Sequence, residues 1–272
     1  MSRKGKRLLR ALGMIAGLVG GAMALGFAER SAGDRTITAV EVHLARADGV
    51  HFLDETAVER VVLDQGTAVL GAPALAIDLA AMEDRLRALP AVAEADAYRT
   101  MDGVLHVQVR QRVPIVRVFN RDGSDFYIDS EGWAMPSGHA WSPRVPVVTG
   151  ALHETGARIG VRHALVPDSH SVHSAAIHRL AAFIHADPLW RALVDQVVID
   201  ARGGYEIVPT MGPARIVLGP ADQWPDEAAL RHRFDKLKLF YEQGVPQAGW
   251  RRYARIDLRF GKQVVCTQRA QP

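Results

Sequence analysis

The residues best equipped for chemistry in this chain are histidines. His163, His170, His173, His178 and His185 crowd one stretch, and Asp168-Ser169-His170-Ser171-Val172-His173 sets two imidazoles three residues apart beside a carboxylate. Imidazoles at such spacing with an acid can hold a zinc-like ion. The same six residues also read as the exposed start of a helix, with Asp168 or Ser169 as its cap. His178 and His185 fall on one side of that helix, away from the first pair. The helix start is therefore the reading adopted, and no metal is expected. Ser137-Gly138-His139 follows Pro136 in an expected loop and is given no catalytic role. There is no G-x-S-x-G elbow, phosphate loop, H-E-x-x-H pair or glycine-rich dinucleotide fingerprint. Neither an enzyme nor a cofactor is expected. Cys266 is the one cysteine, which rules out an intramolecular disulfide and reads as a small, partly buried thiol.

Charge placement says more than its sum. Of the +3 net charge, Arg3, Lys4, Lys6, Arg7 and Arg10 supply five positive charges in the first ten residues, and the remainder carries 30 acids against 28 bases. Such a balance gives no basic face for nucleic acid, and no RNA- or DNA-binding motif is present. Residues 11–28, ALGMIAGLVGGAMALGFA, contain no ionisable side chain. At about 1.5 Å per residue they reach about 27 Å, close to the hydrocarbon thickness of a bilayer. The expected organisation is a cytoplasmic basic head (1–7), a transmembrane helix (8–28) and a body on the far side. Gly13, Gly17 and Gly21 recur every four residues and would form a smooth face against which another span can pack. A cleaved signal peptide, cut after Ala24 or Ala28, is the alternative, and it sends the body to the same compartment.

The body reads as two units of an α+β protein. In the first (35–110), Thr36–Leu44 alternates as a strand, and Asp54 or Thr56 can cap a helix to about Leu63. Asp78 caps a second helix whose Leu79, Met82, Leu86 and Leu89 share one side, ended by Pro90. Residues 92–99 and 104–110 flank an Asp102-Gly103 turn, giving the order β-α-α-β-β. The second unit (111–266) is built from short strands: 115–119, 126–128, 145–148, 197–199, 205–208 and 215–219. Helices are expected from about Val172 to Ala186, and from Pro225 to about Gln243 with Gly244 as C-cap. Leu230, Phe234, Leu237 and Tyr241 stripe the second of these helices, opposite a basic face of Arg231, Arg233, Lys236 and Lys238. Asp222, Asp226 and Glu227 serve as capping and dipole partners. A mainly antiparallel sheet with helices on one face follows, and residues 267–272 form a tail.

Near that tail, ARIDLRFGKQVVC (254–266) begins with strict alternation of Arg255, Asp257 and Arg259 against Ile256, Leu258 and Phe260. That is a strand with one buried face, and little chain follows to cover its edge. An extended peptide can complete such an edge. The three charges can equally be guards on an idle edge.

Taken in order, several segments resemble the FtsQ/DivIB family of bacterial cell-division proteins, in a Bacteroidetes-like form. They are LPAVAEADAYR (89–99), RQRVPIVRV (110–118), FYIDSEGW (126–133), RIVLG (215–219) and IDLRF (256–260). The first unit resembles a POTRA domain, a small docking module found outside bacterial inner membranes. The resemblance implies a noncatalytic inner-membrane scaffold of the divisome that meets FtsB/FtsL-like partners in the periplasm, with no small-molecule substrate. It implies partner contacts at Tyr253, Arg255, Ile256, Asp257, Leu258, Arg259, Phe260, Gly261 and Val264. One departure is that only Gly261-Lys262 separates Phe260 from Gln263-Val264-Val265. Either a tight hairpin or one bulged strand is open to the chain there.

Overall fold

The computed structural model describes residues 19–20, 23, 35–45, 52–64, 68–137, 142–155, 162–163 and 172–270. Gly13, Gly17, Gly21, His170 and most of the head and apolar span lie outside them. Among the described residues no helix is long and apolar enough to cross a membrane. The body divides into two compact units, one holding residues 53–111 with the chain up to 46, the other holding 47–52 and 112–272.

The first unit contains β1 (Ala39–Ala45), α1 (Glu55–Leu63), α2 (Leu79–Arg87), β2 (Val92–Arg99) and β3 (Val104–Gln111). Its sheet runs in the order β1-β3-β2, with β1 parallel and β2 antiparallel to the central strand. β1 begins later than the alternation suggests, because Thr36 makes only an isolated bridge to Pro73. The helices start where short acceptors precede them. Asp54 accepts the Ala57 N–H at 2.6 Å and Asp78 that of Ala81 at 3.0 Å, each satisfying an otherwise orphaned donor. Thr56 is therefore not the cap; its hydroxyl donates to Asp54. Val58, Val62, Met82 and Leu86 from the helices close over Ala95, Leu105, Val107 and Val109 of the sheet. The period of two leaves Glu41, His43, Glu94, Asp96, Tyr98, His106, Gln108 and Arg110 on the opposite face.

The second unit is one sheet of ten strands. In chain order these are β4 (Pro114–Phe119), β5 (Asp125–Asp129), β6 (Trp133–Pro136), β7 (Val147–Gly150), β8 (Arg162–His163), β9 (Val194–Ile199), β10 (Gly204–Pro209), β11 (Arg215–Pro220), β12 (Tyr253–Asp257) and β13 (Val265–Gln268). Their order across the sheet is β13-β12-β11-β10-β9-β7-β4-β5-β6-β8. The pairs β4–β7, β7–β9 and β11–β12 are parallel and the other six antiparallel. Helices α3 (Ser174–Ala186), α4 (Pro188–Leu193) and α5 (Glu227–Leu239) supply the covering layer. Ile177, Leu180, Ile184, Trp190, Phe234 and Leu237 pack in the same core as Val118, Val197, Tyr205 and Ile216. Trp190 meets Phe234, and Trp224 meets Tyr205, edge-on at 4.9 Å between ring centres.

Helix α5 does not stop at Gly244. It loosens into a π turn (Phe240–Gly244) and tightens again as α6 (Val245–Ala248), ending at Gly249 with φ 83. Gly244 is there for room, not for a cap: a Cβ on it would sit 2.9 Å from the Phe240 ring.

Candidate docking edge

β12 is not the sheet edge that its alternation and its place near the end of the chain imply. One side pairs with β11 in parallel, at Arg215–Arg255, Ile216–Ile256 and Val217–Asp257. The other side pairs with β13, at Asp257–Val265, Ile256–Cys266 and Arg255–Thr267. The chain thus folds back on itself through a connection over Leu258–Val264, longer than a two-residue turn and interrupted as a strand. The edge itself is β13, and strand structure runs to Gln268, past the expected boundary of the tail.

The ladder fixes which backbone groups are spare. Leu258 donates its N–H to Val217 on β11, so the alternate residues Asp257 and Arg255 face β13. Arg269 donates to Arg252 across β12–β13, so Thr267 and Val265 face β12. The N–H and C=O groups of Cys266 and Gln268 therefore point away from the sheet. The Cys266 side chain turns inward onto the core, where burial pushes the thiol pKa up.

Ile256 and Leu258 are buried, as their alternation requires. Phe260 is not; it lies in the connection and is 43% exposed. The charged side of the hairpin is already organised. Arg259 closes on Asp257 with its Nε 3.0 and 3.1 Å from the two carboxylate oxygens and its Nη2 at 2.6 Å. Arg255 reaches Glu206 on β10 at 2.9 Å. Asp257 is only 7% exposed, and burial raises its pKa, but the hydrogen bonds and charge of Arg259 and the charge of Arg255 outweigh this and hold it below the usual carboxylate range. These charges are occupied within the molecule; Arg255 and Arg259 remain partly exposed beside the edge.

Helix α5 holds the connection in place. Lys236 donates to the carbonyls of Leu258, at 3.1 Å, and Phe260, and the His232 Nε2 lies 2.7 Å from the carbonyl of Gly261. Burial, with the nearby Arg233 charge, lowers the Lys236 pKa. Arg233 is itself buried, so half of the basic face read from the sequence is structural. Between helix and connection lies an open groove of about 310 Å³, lined by Leu239, Phe240 and Val264 with Lys236 and Lys262 at its rim. Leu239, which lines it, is exposed, as are Phe260 and Val265 elsewhere on the hairpin.

The histidine stretch takes another form. His173 Nδ1 lies 3.0 Å from the Tyr205 hydroxyl, and His178 Nε2 lies 3.2 Å from the carbonyl of Ser130. Among the described residues no three or more His, Cys, Asp or Glu side chains come together as a metal site. The N-terminus of α3 is capped from across the fold, by a residue the sequence did not single out. Buried Glu154 accepts from the backbone N–H groups of His173, at 2.9 Å, and Ser174, at 3.0 Å. Asp168 and Ser169 lie outside the described residues.

The order is thus a small three-stranded unit with two helices on one face, then a mixed sheet with a helical layer, ending in an edge hairpin. That is the architecture of a POTRA-like domain followed by a β-rich domain. The comparisons agree: residues 35–110 match the POTRA-like domain, and residues 113–267 match the family described as FtsQ/DivIB, C-terminal related. A curated relative, the cell division protein FtsQ of Rhodothermus marinus, is 30% identical over 207 residues, covering 74% of this chain and 70% of the relative. The chain belongs to the FtsQ/DivIB family.

Proposed function

We propose that this protein is a noncatalytic scaffold of the division machinery that docks FtsB/FtsL-like partners by adding a partner strand to β13. In this reading residues 8–28 anchor it in the inner membrane, with residues 1–7 cytoplasmic and the two units periplasmic. Gly13, Gly17 and Gly21 offer the anchor's close-approach face. The observation that carries the proposal is the outward-facing backbone of Cys266 and Gln268 at the end of the sheet.

Energetics narrow what else is needed. Two outward residues can make about four backbone hydrogen bonds, each worth about 1 kcal/mol net. Ordering an incoming segment costs about 2–5 kcal/mol, so the ladder alone roughly breaks even. Side chains must supply the surplus. Phe260 and Val265, exposed on the hairpin, and the groove over Leu239, Phe240 and Val264 provide apolar anchoring. Lys262, Arg255 and Arg259 favour acidic residues on the partner. Tyr253, Ile256, Asp257, Leu258 and Gly261 then act by holding the hairpin's shape.

Proline at Gln268 tests this cleanly. It removes an outward N–H and leaves the β12 ladder intact. In the full chain, Gln268→Pro should weaken binding of the FtsB/FtsL-like pair at least about fivefold, the worth of one backbone hydrogen bond. Gln268→Ala should bind normally. Equal affinity for both, with unchanged thermal unfolding, would refute strand addition at β13.

A further inference from the structure

The sheet of the first unit has two lateral edges, and the structure treats them differently. The β2 edge is stoppered. Glu83 on α2 accepts the outward Ala97 N–H at 2.9 Å, Arg87 donates to the outward Ala95 carbonyl at 2.6 Å, and the two side chains pair with each other at 3.0 Å. Side chains placed in this way deny the edge to another strand. Ahead of β1, Arg35 and Ile37 are also covered: Ile37 donates to Ala72 and accepts from Gly71, while Ala74 donates to Arg35. From Ala39 to Ala45 that cover ends, and among the described residues β1 pairs with β3 alone. Val40 and Val42, on the core-facing side of this strand, are only partly buried.

We propose that β1 is a self-association edge, pairing antiparallel with β1 of a second copy about a two-fold axis at Val42. The sequence of the strand, AVEVHLA, supports this occupant over an unrelated strand. Pleating requires outward residues to meet outward residues, which leaves registers differing by steps of two. With Val42 opposite Val42, Glu41 faces His43 of the second copy on both sides of the axis, and Val40 faces Leu44. One step in one direction sets Glu41 against Glu41; one step in the other sets His43 against His43. Like charges directly opposite are destabilising, which disfavours Glu41 against Glu41, and His43 against His43 forgoes the Glu41–His43 contact, so the register centred on Val42 is the favoured one. The pairing is isologous, every contact occurring twice. It joins two three-stranded sheets into one of six strands and removes the exposed edge from both.

Seven residues per strand make a small interface, so a covalent trap is the suitable readout. In the full chain carrying Cys266→Ser, Glu41→Cys and His43→Cys are prepared separately, one with a size tag, then mixed under mild oxidation. In the Val42-centred register the two introduced thiols lie directly opposite, within disulfide reach, whereas Glu41 and its own copy lie diagonally, near or beyond that reach. The expected result is a mixed dimer exceeding the self-linked forms, and exceeding an Asp96→Cys control on the stoppered edge by roughly tenfold. Both substitutions lie on the solvent face and spare the core. Mixed dimer no more abundant than the control, or equal linking of every variant with itself, would overturn the proposal.

Discussion

Arg112 and Asp129 come from two segments that look independent in the sequence, RQRVP and YIDSEG, and meet at 2.9 Å with side chains only 7% and 1% exposed. The other oxygen of Asp129 accepts the N–H groups of Glu131, at 2.9 Å, and Trp133, at 2.7 Å, which shapes the turn, and the guanidinium lies 4.9 Å from the centre of the Trp133 ring. Removing one partner of a buried pair strands the other charge, at a cost of about 3–5 kcal/mol. Arg112→Ala should lower the denaturant stability of the full chain by about that amount. Arg112→Lys should recover little of it, since an ammonium reproduces neither the planar fork nor the stacking. Denaturation midpoints of the two variants check this; full recovery by lysine would mean that charge alone matters. The motifs were visible in the sequence, but their meeting was not, because it depends on β4 and β5 pairing. The same holds for Glu154. Nothing local marks a lone acid in a loop as the cap of a helix that begins twenty residues later. The histidines stand at a suggestive spacing, yet His173 is set by contacts with Glu154 and Tyr205 that spacing cannot reveal.

At the scale of elements, a period of two and a period of 3.6 located most strands and the helices α1, α2, α3 and α5. Six-residue α4 and two-residue β8 are too short to show a period. Parallel pairings β4–β7 and β7–β9 were illegible for another reason: a crossover leaves no local signature. The same blindness explains the candidate site. Alternation marks a strand at β12 but carries it on to Phe260, past its end at Asp257, and whether a strand is interior or edge depends on what pairs with it; the pairing partner lies in residues that read equally as the return of a tight hairpin, as a bulged continuation of the same strand or, beyond 266, as a tail. Gly150 shows how tightly the parallel centre is built. It sits at φ 122, and a Cβ there would come within 2.0 Å of the Ile199 carbonyl oxygen on the partner strand β9. Gly150→Ala must therefore push β7 from β9 as well as adopt a strained backbone, itself worth about 1–3 kcal/mol. A fall in thermal stability at least that large is expected, with Gly123→Ala, where no atom lies within 4 Å of the added Cβ, carrying the backbone penalty alone. Equal losses in the two variants would show that β7 and β9 separate without cost.

For the molecule as a whole, the division of the body into two units separates two kinds of association. Each unit has its own apolar core and its own sheet. Effects at distant sites without common partners usually add within about 0.3–0.5 kcal/mol. Strand addition at β13 and self-pairing at β1 should accordingly be separable. Gln268→Pro, introduced into the Glu41→Cys and His43→Cys chains, should leave their mixed cross-linking unchanged while still reducing capture of the FtsB/FtsL-like pair. Conversely, Val42→Pro, which cannot donate its backbone hydrogen to any strand and resists pairing where it lies, should abolish the β1 cross-link and leave capture by β13 within twofold of the parent. Measured together, the four combinations form a cycle. A coupling clearly above the additive range would mean that association through one unit alters the other, and the two edges would then have to be treated as a single assembly surface.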